Sequence, residues 1–127
     1  MDPKLERLEH ANAILLSMSR HGRRFFYSKQ HDRVACFEID QRGCVRIRDE
    51  YTGRSVLITK NGRWRGFNNG GTLRRMVEDL ADYIRTGKKI RNHFGPWPDW
   101  ICGGDLWGYG DGAAAVRAEV RQNPACI

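Results

Sequence analysis

Two hydrophobic periods run along the chain, and the places where one gives way to the other mark out its elements. Asp2-Pro3 is a helix opening, an N-cap followed by proline at the first helical position, and Leu5, Leu8, Ala11, Leu15 and Met18 then recur every three or four residues. This spacing predicts a helix to about Ser19, ended by His21-Gly22. Beyond it the period falls to two, which predicts strands at Arg24-Phe25-Phe26-Tyr27 and from Arg33 to Asp40. The following turn predicts a register. If Gln41-Arg42-Gly43 is a three-residue loop with Gly43 left-handed, Asp40 faces Cys44, Ile39 faces Val45 and Phe37 faces Ile47. One face of the hairpin is then apolar, and the other sets Glu38 opposite Arg46 and Cys36 opposite Arg48. A two-residue loop would instead put Arg46 opposite Phe37, so the longer loop is preferred.

Glu50-Tyr51-Thr52-Gly53-Arg54 predicts a second hairpin onto Ser55 to Thr59, and Asn61-Gly62 predicts a third onto Arg63 to Phe67. The helical period returns from Thr72 to Arg85, with Leu73, Met76, Val77, Leu80 and Ile84 as the apolar stripe and Gly87 as the terminator. Arg85 to Arg91 is a basic exit. Residues 92–112 then hold six glycines, two prolines, three tryptophans and three aspartates, with no lysine or arginine. Flexible linkers seldom carry such aromatics, so this segment is expected to be an ordered loop with Trp97 and Trp107 buried. A short helix from about Gly112 to Gln122 closes the chain.

The fold class is therefore α+β: an antiparallel meander of four to five strands flanked by an N-terminal helix and a helix after the sheet, with a Gly/Trp-rich loop and a short C-terminal helix. Both long helices are expected on the Phe37/Ile39/Val45/Ile47 face. A chain of 127 residues has room for one domain. Its helix-meander-helix core would occupy residues 1–91, and its loop and last helix residues 92–127.

Composition narrows the function classes. Apolar residues at 40% and charged residues at 29% argue against disorder, and the longest apolar run, Ala13 to Leu16, is far too short to span a membrane. The charged start does not resemble a secretory leader, which points to the cytoplasm, a reducing compartment. Cys36, Cys44, Cys102 and Cys126 lack zinc-ligand spacing, so mostly buried free thiols are expected, with no metal and no cofactor.

Charge changes the picture most. The net charge is +7, and residues 20–91 hold 18 basic against 8 acidic side chains. A basic surplus concentrated in the middle of the chain suits a polyanionic partner. The candidate anion-binding residues are Arg23, Arg24, Arg46, Arg48, Arg63, Arg65, Arg74 and Arg75. Of these, Arg46, Arg48, Arg63 and Arg65 recur at period two and so share strand faces, where only Glu38 is near enough to compensate them. Arg74 and Arg75 follow Asn68-Asn69-Gly70-Gly71-Thr72, a glycine-rich loop opening a helix, where free N–H groups attract anions; they can equally pair with Glu78 and Asp79. Trp97, Trp100, Trp107 and Tyr109 form an alternative partner surface, as a stacking platform. Catalysis has little support: His31-Asp32, His93 and Cys102 belong to no catalytic motif, and no enzyme is expected.

The segment RWRGFNNGGTLRRMVEDLADYIRTG followed by HFGPWPDWICGGDLWGYG, residues 63–110, resembles a family of small proteins carried by proteobacterial phages and other mobile elements. The resemblance implies a context, a host bacterial cytoplasm, and a role among transcriptional regulators, nucleic-acid binders or inhibitors of host defence such as anti-CRISPR proteins. It carries over no functional residue. The order of elements is also similar in outline to double-stranded-RNA-binding domains and AP2-type DNA-binding domains, whose signature residues are missing here. The expected partners are nucleic acid or a host nucleoprotein or protein complex, with the choice between monomer and homodimer open. A nucleic-acid binder and a protein-docking inhibitor are the two readings carried forward.

Overall fold

A computed structural model describes residues 2–21, 26–57, 71–90, 112–120 and 122–126, with the backbone alone for 71–76 and 112–113. Helix α1 (Pro3–Arg20) starts where the sequence predicts: the Asp2 carboxylate accepts from Lys4 N at 2.9 Å, and Pro3 takes the position whose missing N–H would be unsatisfied anyway. Its inner face carries Ala11, Ile14, Leu15 and Met18, all buried, while Leu5 at the first turn is 46% exposed and lies outside the core stripe that its spacing suggested.

The strands are β1 (Tyr27–Ser28), β2 (Arg33–Val34), β3 (Cys36–Ile39), β4 (Val45–Arg48) and β5 (Ser55–Leu57). The pairing of β3 with β4 is the predicted one, with Cys36 on Arg48, Phe37 on Ile47, Glu38 on Arg46 and Ile39 on Val45. Gly43 has φ 82° as that loop demands, and Asp40 fixes the turn by accepting from Arg42 N and Cys44 N, both at 2.9 Å. Phe37, Val45 and Ile47 are buried, and Ile39 and Val56 pack partly buried against them.

The expected single strand from Arg33 to Asp40 is interrupted at Ala35, so the described strands form two small sheets, β1-β2 and β3-β4-β5. The reason lies in what each edge meets. Ala35 N still donates to Phe26 O at 2.9 Å, beside the β1 edge. Phe37, two residues on, turns its outer N–H and carbonyl to helix α1. Asn12 accepts from Phe37 N at 2.6 Å and donates to Phe37 O at 3.1 Å, so a side-chain amide takes the place of the next strand. Phe26, at φ 65° and 6% exposed, is a turn residue before β1, which begins at Tyr27; Arg24 and Phe25 of the expected strand lie outside the described residues. Burial of the ring is what holds this left-handed backbone, unfavourable for a bulky residue.

Helix α2 (Gly71–Thr86) matches the predicted span within a residue, and Gly87 (φ 79°) ends it. Val77, Leu80, Ala81 and Ile84 are fully buried against α1 and the sheet. Arg7 of α1 donates from Nε to Ile84 O at 3.0 Å, placing a cation at the negative end of the α2 dipole. Helix α3 (Gly112–Val120) packs on α1 through Val116 and Val120. The third hairpin, Asn61-Gly62, and the tryptophan loop lie outside the described residues.

Candidate nucleic-acid interface

Alternation along the three-stranded sheet sends Phe37, Ile39, Val45, Ile47 and Val56 inward and leaves Cys36, Glu38, Asp40, Cys44, Arg46, Arg48, Ser55 and Leu57 on the outer face. Arg46 and Arg48 therefore stand side by side as predicted. Each meets an acid of its own chain, diagonally across the ladder, where long side chains reach. Arg48 grips Glu38 with two nitrogens, Nε to Oε1 at 2.5 Å and Nη2 to Oε2 at 3.2 Å, and its Nη1 donates to Gly53 O. Arg46 donates to Ser55 Oγ and Ser55 O, both at 2.9 Å, and its Nη1 lies 3.8 Å from Asp40 Oδ2. The Cys44 N–H, first among the groups around it, holds the Asp40 carboxyl below the ordinary range, with Arg46 helping.

These pairings show where the surplus does not sit. Residues 26–57 contain six basic and five acidic side chains, an excess of only two when Glu50 is protonated. Residues 20–25 contain three basic and no acidic ones, and residues 58–91 nine against three. Of the predicted anion-binding residues, Arg23, Arg24, Arg63 and Arg65 lie outside the described residues. Arg74 and Arg75 fall in the first turns of α2, whose side chains there are also undescribed. The alternative surface of Trp97, Trp100, Trp107 and Tyr109 lies outside them as well. At the exit of α2, Arg85 pairs with Asp82 at 2.5 Å, Lys88 is exposed, and Lys89 donates to Pro124 O while standing 5.8 Å from the Tyr83 ring centre.

Of the possible acid-base residues, His93 and Cys102 lie outside the described residues, and His31 and Asp32 have structural work to do. Asp32 accepts from Tyr27 OH at 2.8 Å, and the N–H of His31 donates to Ser28 Oγ, so both close the β1–β2 turn. Cys126 is buried, its thiol pushed up to about 11 by burial. Cys36 is half-buried, whereas Cys44 is exposed on the outer face, against the expectation of mostly buried thiols: its place opposite Asp40 gives it outward parity. Among the described residues no group of three or more His, Cys, Asp or Glu could hold a metal ion, and no helix is long and apolar enough to cross a membrane.

Two features escape the sequence pattern. Glu50, which reads as a turn residue, is 2% exposed, with Oε2 lacking a hydrogen-bond partner, beside Asp49 at 5%. Burial, then the Asp49 charge and a shared hydrogen bond, push its carboxyl up to about 8. Parity offered a signal for Asp49, which continues the inward positions Val45 and Ile47; nothing comparable marked Glu50. The second is Arg33, whose guanidinium lies on Gly53: a Cβ there would come within 2.4 Å of Nη1.

No curated protein and no solved structure matches the chain. A protein-family model described as YoqU matches it over residues 2–122, almost the whole length.

Proposed function

The chain belongs to the YoqU family, and from that starting point we propose that it acts by binding an anionic partner, nucleic acid or a nucleoprotein complex. The observation that carries this reading is the location of the excess charge. The acids that compensate Arg46 and Arg48 leave residues 26–57 near balance, so the surplus belongs to residues 20–25 and 58–91. Arg23, Arg24, Arg63, Arg65, Arg74 and Arg75 are among its carriers in the sequence. Seventeen of the chain's 22 basic residues are arginine, the side chain whose planar fork matches phosphate. The protein would serve a phage or other mobile element in a bacterial cytoplasm, as the resemblance of residues 63–110 implies, without a catalytic step.

A gel shift with duplex DNA and with RNA at low and high salt tests the proposal. Binding should weaken steeply with salt and be lost in Arg63→Glu plus Arg65→Glu; no shift at low ionic strength, or one indifferent to this pair, defeats it.

A second reading, direct docking on a host defence complex in the manner of an anti-CRISPR protein, draws on the large apolar side chains near the sheet arginines: Tyr51 is 55% exposed and Leu57 45%. A pull-down from host lysate separates the two. A partner retained after nuclease treatment favours docking, and its loss favours nucleic acid.

A further inference from the structure

Arg33 is placed unlike the arginines singled out from the sequence. Arg46 and Arg48 each reach acceptors of the protein; Arg33 Nη1 is buried with no hydrogen-bond partner, and no acid lies within ion-pair distance of Arg33 among the described residues. The geometry follows from topology. The β3–β4 ladder ends at Cys36 and Arg48, so the chain preceding it, β2, runs alongside the 49–54 turn that follows it. Two guanidinia consequently converge on one residue: Arg48 Nη1 donates to Gly53 O, and Arg33 occupies the space a side chain at Gly53 would need. Arg54, exposed, adds a third cation next in sequence. Glu38 is held by Arg48, and Asp49 and Glu50 of the same turn as Gly53, though buried, form no ion pair with Arg33 among the described residues.

We infer that Arg33, with Arg48 beside Gly53, is a clasp for a backbone phosphate of nucleic acid, an inference that rests on the binding function proposed above. A buried guanidinium nitrogen without an acceptor, with a second guanidinium reaching the same glycine, is unfavourable in the free protein on both counts. A phosphodiester removes both defects, giving acceptor oxygens to the forks and negative charge to the pair. Arg33 is only half-buried and, among the described residues, no side-chain hydrogen bond ties it down, so it swings from beneath Gly53 to meet the phosphate without breaking one. Gly53 makes this possible twice over, by its left-handed φ of 71° and by leaving room for the side chain.

The test is fluorescence anisotropy with a labelled DNA duplex across a salt series, on the full chain, with thermal melting alongside. Arg33→Gln should reduce the slope of log affinity against log salt by about one, the signature of one lost phosphate contact, while its melting temperature holds or rises. Arg42→Gln, at the opposite end of the β3–β4 hairpin, should bind as the parent does. Arg33→Lys, which keeps charge and stem should the glutamine variant not fold, should keep the slope and bind more weakly at every salt. A parent that binds with a slope unchanged in Arg33→Gln, or an Arg33→Lys variant that binds as the parent, overturns the clasp and leaves the nucleic-acid reading standing. A parent that does not bind at the lowest salt overturns both.

Discussion

Glu50 keeps its proton at neutral pH because its carboxyl is almost wholly enclosed and stands next to Asp49, whose oxygens already accept from Tyr51 N, Thr52 N and Thr52 Oγ1. The sign of the consequence is fixed. The unfolded carboxyl titrates near 4.5 and the folded one near 8, so across that window the folded chain holds a proton that the unfolded chain has released. Stability should fall as pH rises from 4.5 towards 8 and level off above it. Chemical denaturation at several pH values checks this, and Glu50→Gln should flatten the fall. An equally steep fall in the variant would locate the titration elsewhere. Gly53 in the same turn should tolerate no side chain: Gly53→Ala is expected to cost about 1–2 kcal/mol from the left-handed backbone alone, more if Arg33 cannot move, as a lowered melting temperature would show.

Between elements, the amide of Asn12 does the work of a missing strand on the β3 edge. Asn12→Ala leaves Phe37 N and Phe37 O without their partner, and we expect a loss of about 1–3 kcal/mol in denaturant unfolding. Asn12→Leu, which fills the space without satisfying the groups, should do no better. The register of this hairpin was legible in the sequence because Gly43 and the alternation of Phe37, Ile39, Val45 and Ile47 agree, and a one-residue slip would bury arginine. The limits of α2 were legible for a similar reason, its stripe and Gly87 acting together. The break at Ala35 was not, since it depends on Asn12, 23 residues earlier, and no local pattern in 33–40 reports that contact. The partners of Arg46 and Arg48 were half visible. Glu38 was read as a neighbour, but the diagonal reach that assigns it to Arg48 and leaves Asp40 to Arg46 comes from side-chain length and not from pairing.

For the whole molecule, the described core of α1, α2, α3 and the three-stranded sheet balances its own charge around β3 and β4 and leaves the excess to the segments before β1 and after β5. The tryptophan-rich residues 92–112 belong to the same question. If Trp97 completes the core, Trp97→Ala should lower stability by about 3–5 kcal/mol; unchanged melting with lost binding would make that loop the recognition surface. The most direct measurement of the binding function is the affinity of the intact chain for duplex DNA and for RNA from low to physiological salt. Log affinity should fall linearly with log salt, with a slope of about −0.9 for each DNA phosphate neutralised and about −0.7 on single strands. Failure to bind either nucleic acid at the lowest salt, or an affinity that salt does not change, would contradict it.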